Sequence, residues 1–463
     1  MTKPRGVAWK LWSVIPVVIA GYLTYSLFTG GKSAFLIGRL TDGHHQLALA
    51  CSSCHTPFGG PAALQKACLD CHADQLRDED DSHRLSLFTD PRNAGELTLV
   101  DARSCLTCHT EHRPQGTQRG GVTVPVDFCF ACHADVVRDR PSHASLAPTS
   151  CANAGCHNYH DNRALYEAQL AKHLHEPALL ATPRVPQRTA TAAAPPAADR
   201  RALTRRDVDA PAGRAVDAAI AAAWSASAHA AAGVNCGSCH EAAAAVGAPA
   251  AWTDHPARAV CATCHAGEDK GFLAGRHGMR LAADLPAMTP AEAVLPMHDE
   301  AAHRALGCTS CHGAHDADTR RAAATACQSC HDDTHTRAFA NSPHGRLWQA
   351  ELDGTAPAGS GVSCATCHLP RETRRLHGAD VVAVQHNQNL NLRPADKMLR
   401  GVCMDCHGLG FALDALADPE LVRRNFAGHP ADHVPSLDWA ERRQSTLSNP
   451  APSSVPQQEG LEK

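Results

Sequence analysis

The cysteines of this chain come only in close pairs, and a histidine follows every pair. Ten pairs read Cys-x-x-Cys-His: Cys51 and Cys54, Cys68 and Cys71, Cys105 and Cys108, Cys129 and Cys132, Cys236 and Cys239, Cys261 and Cys264, Cys308 and Cys311, Cys327 and Cys330, Cys364 and Cys367, and Cys403 and Cys406. The histidines that complete them are His55, His72, His109, His133, His240, His265, His312, His331, His368 and His407. An eleventh pair is stretched: Cys151-Ala-Asn-Ala-Gly-Cys156-His157 has four residues between its thiols. Together these use all 22 cysteines.

That pattern is the attachment chemistry of a covalent porphyrin. Two thiols add across the vinyl groups, and the adjacent histidine is held over the iron. Structural zinc also uses Cys-x-x-Cys pairs, two per metal, but does not require a histidine after each. A disulfide framework would show varied spacing and no linked histidine. The expected cofactor is therefore haem c, eleven copies, each held by one cysteine pair. With no cysteine left over, iron–sulfur clusters, disulfides and a cysteine nucleophile are excluded.

Composition agrees. Only 4% of the 463 residues are aromatic, little bulky material for a core of this length. One porphyrin per roughly 42 residues supplies the missing interior. The formal charge of −4 becomes more negative with ionised propionates. No basic stripe marks a nucleic-acid partner.

Met1 to Lys10 carries Lys3, Arg5 and Lys10 without an acid, and Leu11 to Phe28 then runs without a charge. Eighteen residues span roughly 27 Å as a helix, enough for a membrane core. The positive flank predicts residues 1–10 in the cytoplasm, an anchor at 11–28 in the inner membrane, and the rest in the periplasm. A cleaved signal peptide is the alternative. Covalent haem attachment takes place on that outer side in either case.

The motifs divide into five, within residues 32–176, and six, within 223–435. Between them 177–222 is rich in Ala, Pro and Arg and reads as a linker, with room for a short helix after Val216. Residues 436–463 are polar and proline-containing and read as a disordered tail. Gly and Pro elsewhere break the chain into short pieces. The fold expected is mainly α with extensive irregular loops and little or no β-sheet.

Of 31 histidines, eleven stand in motifs and twenty remain. A histidine three residues past a motif histidine cannot easily reach the far face of its own haem, because three residues span at most about 11 Å. It can ligate a neighbour. In the first cluster the candidates are His44 or, preferred, His45, then His83, His112, His143 and His160, with His173 and His175 spare. In the second they are His255, His277, His303, His315, His335, His344 and His386, with His229, His298, His377 and His429 as further candidates. Met279, Met288, Met297 and Met398 are weaker rivals, and methionine ligation would raise the potential.

Cys51-Ser-Ser-Cys-His, Cys68-Leu-Asp-Cys-His and Cys105-Leu-Thr-Cys-His-Thr-Glu-His resemble the class III multihaem cytochrome c family. Cys308-Thr-Ser-Cys-His-Gly-Ala-His, Ser342-Pro-His-Gly-Arg-Leu-Trp and Gly361-Val-Ser-Cys-Ala-Thr-Cys-His resemble the group of tetrahaem cytochromes of nitrifiers and octahaem hydroxylamine oxidoreductases. The resemblance implies haems stacked into a wire. It departs at two points. No Cys-x-x-Cys-Lys motif of the nitrite reductases occurs, and Tyr22, Tyr25, Tyr159 and Tyr166 all precede the second cluster, away from a tyrosine-linked haem. The function expected is electron transfer along mostly bis-histidine haems, between a membrane donor (quinol or a membrane redox complex) and periplasmic redox proteins. The alternative is an enzyme acting on a small nitrogen or sulfur compound at one open haem. Arg371 to His377 would be nearby charge, and Lys270 or Lys397 unusual ligands.

Overall fold

A computed structural model describes residues 6–28, 35–56, 59–78, 83–95, 97, 100–118, 121–140, 143–144, 146–151, 159–160, 172–186, 201–242, 251–376, 379–392 and 397–448. The chain is mainly helical, in short pieces joined by irregular loops. Helix α1 covers Gly6–Phe28 and α2 covers Pro61–Asp78. Proline opens α2 where its missing N–H costs nothing, and Ala62, Ala63, Leu64, Gln65 and Lys66 are strong helix formers. Cys68, Cys71 and His72 lie inside it. Later helices include α3 (Ala266–Ala274), α4 (Met279–Ala282), α5 (Pro343–Leu352), α6 (Leu409–Ala417), α7 (Pro419–Arg423) and α8 (Pro435–Ser448).

Sheet is limited to two antiparallel pairs among the described residues. Strand β1 (Glu241–Ala242) pairs with β2 (Ala251–Trp252), and β3 (Arg371–Leu376) pairs with β4 (Ala379–Val384). In the longer pair Arg371 faces Val384 and Leu376 faces Ala379. The aliphatic core is small. Leu399, Met404, Leu409, Ala412, Leu413, Leu437 and Ala440 cluster around α6, with Leu174 and Trp439 packed against them. Large side chains that are fully buried are few, Leu409 and Leu421 among them, as expected if something other than aliphatic side chains fills the interior.

Two boundaries differ from the sequence expectation. Residues 436–448 are not a disordered tail: they belong to α8, whose Leu437 and Ala440 are 6% and 4% exposed in the core. The apolar residues recur at a spacing of three, so one helical face can bury both. The start of the 177–222 stretch is not a free tether either. Leu180 N donates to Cys406 O at 2.8 Å, Gly408 N to Pro177 O at 3.1 Å, and Arg184 N to Asp405 O at 2.6 Å. Its far end holds a helix over Ala218–Ser225, capped by the Asp217 carboxylate on Ala219 N at 2.7 Å. Low side-chain content did not prevent docking because the backbone supplies the bonds.

Among the described residues no helix is long and apolar enough to cross a membrane. Helix α1 runs over Gly6–Phe28. Pro16, Thr24 and Ser26 interrupt the apolar run there. Val17, Val18, Tyr22 and Tyr25 on this segment are exposed.

Helix α8 is pinned by an imidazole between two carboxylates. His433 Nδ1 lies 2.9 Å from Asp414 Oδ2, and Nε2 lies 3.0 Å from Asp438 Oδ1. Asp414 first, then Asp438, raises the His433 pKa above its ordinary value. A group whose folded pKa is raised stabilises fully below the unfolded value of about 6.5, and the contribution is lost as pH rises through the folded value. Amide exchange at Leu437 and Ala440, corrected for intrinsic rates, should be slower near about pH 6 than about pH 9. His433→Asn should abolish that difference.

Candidate cofactor centres

Each of the ten Cys-x-x-Cys-His motifs is one tight turn, with the histidine amide returning to the first cysteine. His55 N donates to Cys51 O at 2.8 Å, His240 N to Cys236 O at 2.9 Å, His331 N to Cys327 O at 2.9 Å and His407 N to Cys403 O at 2.8 Å. This i to i+4 bond sets two thiols and an imidazole along one edge. Burial pushes the thiols of Cys367 and Cys403 up to about 12 and those of Cys308 and Cys311 up to about 11. Among the described residues no group of three or more His, Cys, Asp and Glu side chains converges as a metal cage.

Numbered along the chain, the first four motif histidines and the sixth to eleventh each face a second imidazole. The ring centres of His55 and His112 lie 6.4 Å apart, of His72 and His44 6.0 Å, of His109 and His160 6.3 Å, and of His133 and His83 6.1 Å. In the second half His240 faces His315 at 6.1 Å, His265 faces His229 at 6.1 Å, and His312 faces His386 at 6.3 Å. His331 faces His277, His368 faces His335 and His407 faces His344, each at 6.2 Å.

The rings are aimed from behind. Nδ1 of His83 donates to Tyr159 O at 2.6 Å, of His109 to Gly121 O at 3.0 Å, and of His112 to Gly38 O at 3.0 Å. His240, His386 and His407 do the same to Thr253 O, Val384 O and Ala178 O at 2.7, 3.0 and 2.7 Å. A carbonyl only accepts, so Nδ1 carries the proton and Nε2 presents a lone pair. Burial lowers the pKa of His277, His344 and His368 to about 4, with neighbouring imidazoles adding to the effect. These three are neutral at pH 7. His335 is held by Val422 O at 2.5 Å, while Asn425 Nδ2 lies 3.1 Å from its Nε2.

One support is a carboxylate. Glu111 Oε1 lies 2.6 Å from His44 Nδ1, and Glu111 also accepts from Thr41 N at 3.0 Å and Thr41 Oγ1 at 2.8 Å. Burial alone would raise the Glu111 pKa, but the bonds from His44 and Thr41 prevail and hold it at about 2. Glu111 did not stand out as a functional residue in sequence. Its place between two histidines in Cys-His-Thr-Glu-His was the available signal.

Of the second histidines expected from sequence, His83, His112, His160, His277, His315, His335, His344 and His386 each face a motif histidine. His45, His255 and His303 face none among the described residues. His44 takes the position expected of His45: on this turn the His44 ring turns towards Glu111, while His45 Nδ1 bonds Asp42 O at 2.8 Å. His229 takes a place given to His255 or His303. Its signal was spacing, since His44 and His229 each stand seven residues before the first cysteine of a cluster. Cys156, His157 and His377 lie outside the described residues, so the partner expected for His143 does too.

The wiring recurs. The first motif histidine of each half faces the histidine three residues past the third: His55 with His112, and His240 with His315. The second faces the histidine seven before the cluster, and the fourth faces one lying between the second and third motifs. Angles between the paired rings follow: 28° and 10° at the first position, 61° and 79° at the second, 20° and 33° at the third, 76° and 52° at the fourth. Thiols adjoin in the same order. Cys68 is beside Cys105 as Cys261 is beside Cys308, and Cys108 is beside Cys129 as Cys311 is beside Cys327.

Residues 43–134, which include the first four motifs, match the cytochrome c3 family. No curated protein and no solved structure matches the chain. The match supports a multihaem c-type cytochrome over those residues, and that family implies covalent haem c. The residues fit that group. Two metal–imidazole bonds of about 2 Å, plus about 1.1 Å from each Nε2 to its ring centre, give roughly 6.2 Å between rings sharing one iron.

Close packing around one of these rings is testable. His344 is followed by Gly345 in α5, where an added Cβ would lie 1.9 Å from Phe339 O. Gly345→Ala should cost about 1–3 kcal/mol through the forced shift of α5, read as a lower midpoint in chemical unfolding of the holoprotein.

Proposed function

We propose that the chain is an electron carrier working outside the cytoplasm, in which ten irons are each held between a motif histidine and its facing partner. The observation that carries this reading is the ring spacing of 6.0–6.4 Å at ten positions, against the roughly 6.2 Å that a shared metal requires. The family match bears on residues 43–134 alone. Recurrence of its wiring at 229–331 supports the same cofactor there, and the stretched motif at Cys151 brings the proposed number to eleven. Bound haem supplies one-electron chemistry between ferric and ferrous iron.

The protein's part is positional. Backbone carbonyls fix each Nδ1–H, so Nε2 is aimed without reorganisation. Thiols of successive motifs adjoin in chain order, Cys54 with Cys71, Cys239 with Cys261 and Cys367 with Cys403. Porphyrins attached at these thiols would lie close to one another, as a conduit needs. The partners proposed are redox proteins outside the cytoplasm, where haem c is attached. An enzyme site open to a small nitrogen or sulfur compound would need an iron with a free face. The ten facing imidazoles leave the stretched motif as the place for one.

EPR of the oxidised holoprotein, quantified against total haem, tests this. Near-parallel imidazole planes split the iron dπ orbitals and give rhombic low-spin signals; steeply crossed planes leave them nearly degenerate and give signals of large g. The ring angles predict four haems of the first kind and six of the second. High-spin iron at two or more sites would refute the pairing. A second measurement concerns Glu111. A carboxylate behind an axial imidazole favours ferric iron, so Glu111→Gln should raise the potential of the His44–His72 site by on the order of 60 mV, a tenfold change for one electron, in a spectroelectrochemical titration.

A further inference from the structure

The two halves meet away from the segment that joins them in sequence. The turn over His45–Leu47 packs against α4. Arg276 Nη2 donates to Asp42 O at 3.1 Å, and Arg280 Nη1 reaches Gln46 O at 3.4 Å. The Arg280 side chain is mostly buried and is braced by Glu292 at 3.0 Å and Pro286 O at 2.9 Å. Lys397, also from the second half, lies close enough for its charge to act on His72. Gln46 is 4% exposed, and its Oε1 and the Nε2 of His45 are buried without a hydrogen-bond partner.

Both sides of the seam carry ring pairs. Asp42 and Gln46 flank His44, which faces His72; Arg276 and Arg280 flank His277, which faces His331. We infer that electrons cross between the halves at this seam, from the His44–His72 centre to the His277–His331 centre, and not along residues 177–222. This rests on the paired-imidazole reading above. It makes the conduit branched: the second position of the first half joins the fourth position of the second. The fifth and sixth motifs, adjacent in sequence, are not the junction. Arg276, Arg280 and Asp42 are positioning residues, since they set the distance between centres without holding either iron.

The rival contact is the packing of 177–184 on the last motif. There Gly408 is pressed against Pro177 O and Glu176 O, at 2.6 and 2.7 Å from where a Cβ would stand. Gly408→Ala therefore loosens the rival, while Arg276→Ala with Arg280→Ala loosens the seam. The background for both is full-length holoprotein carrying His112→Met. Methionine raises the potential of the His55 site, making it a sink in the first half. The far-red charge-transfer band of a methionine-bound ferric haem reports its filling after electron injection by a photoreductant.

The double arginine variant should speed amide exchange over 41–47 and 276–282 and slow the late phase of sink filling at least about tenfold. Gly408→Ala should leave that phase unchanged. An opened seam with an unchanged late phase overturns the crossing, as does slowing by Gly408→Ala alone. If the arginine pair leaves exchange unaltered, Gln46→Arg, which sets a cation against Arg280, is the second variant and is read the same way. The paired-imidazole reading fails on a separate signal: His112→Met would then leave the low-spin EPR lines of the His55 site as they were.

Discussion

Two imidazoles whose ring centres stand 6.0–6.4 Å apart do not touch, so nothing between their own atoms keeps that spacing. It has to be imposed from behind. In this chain the imposing bonds are mostly Nδ1–H donations to backbone carbonyls far away in sequence: Gly38 for His112, Tyr159 for His83, Val422 for His335, Ala178 for His407. Each such bond ties a loop to a motif. The irregular fold is thus a set of carbonyls delivered to fixed places, and short helices suffice because each has only to orient one turn.

The same constraint explains the thin aliphatic core. A chain of 463 residues with 4% aromatics cannot bury enough of its own surface. What it has is concentrated around α6 and α8, next to the last motif. There the thiols of Cys367 and Cys403 are the most deeply buried and are pushed up to about 12. At the other end Cys51, Cys54 and Cys71 are exposed. Cys132, Cys239 and Cys264 are exposed as well, so deep burial of the attachment thiols belongs to the last motifs.

The attachment residues and the helical, sheet-poor class were legible in sequence, because a thioether site needs its ligands contiguous. The facing histidines were legible only as a surplus. Whether His44 or His45 turns inward depends on a carboxylate 67 residues away. Placing His229 required seeing that a seven-residue offset occurs twice. Backbone-mediated docking, as at Leu180 and Arg184 on the last motif, leaves no trace in side-chain composition. The burial of Leu437 and Ala440 was hidden because two small apolar positions in a polar stretch are a weak amphipathic signal.

The recurring wiring has a consequence for how the molecule comes together. In each half the first site takes its partner from beyond the third motif, and the second site takes its partner from ahead of the first. The second can close as soon as its own motif is made, whereas the first must wait for the third motif and the third for a histidine beyond the fourth. A nascent chain emerging from its N-terminus would hold His55 and His240 open until His112 and His315 arrive, and His109 and His312 open until His160 and His386 do. Each half thereby closes in an order different from the order of its motifs, and a chain cut short within it forfeits centres whose own cysteines and histidine are intact.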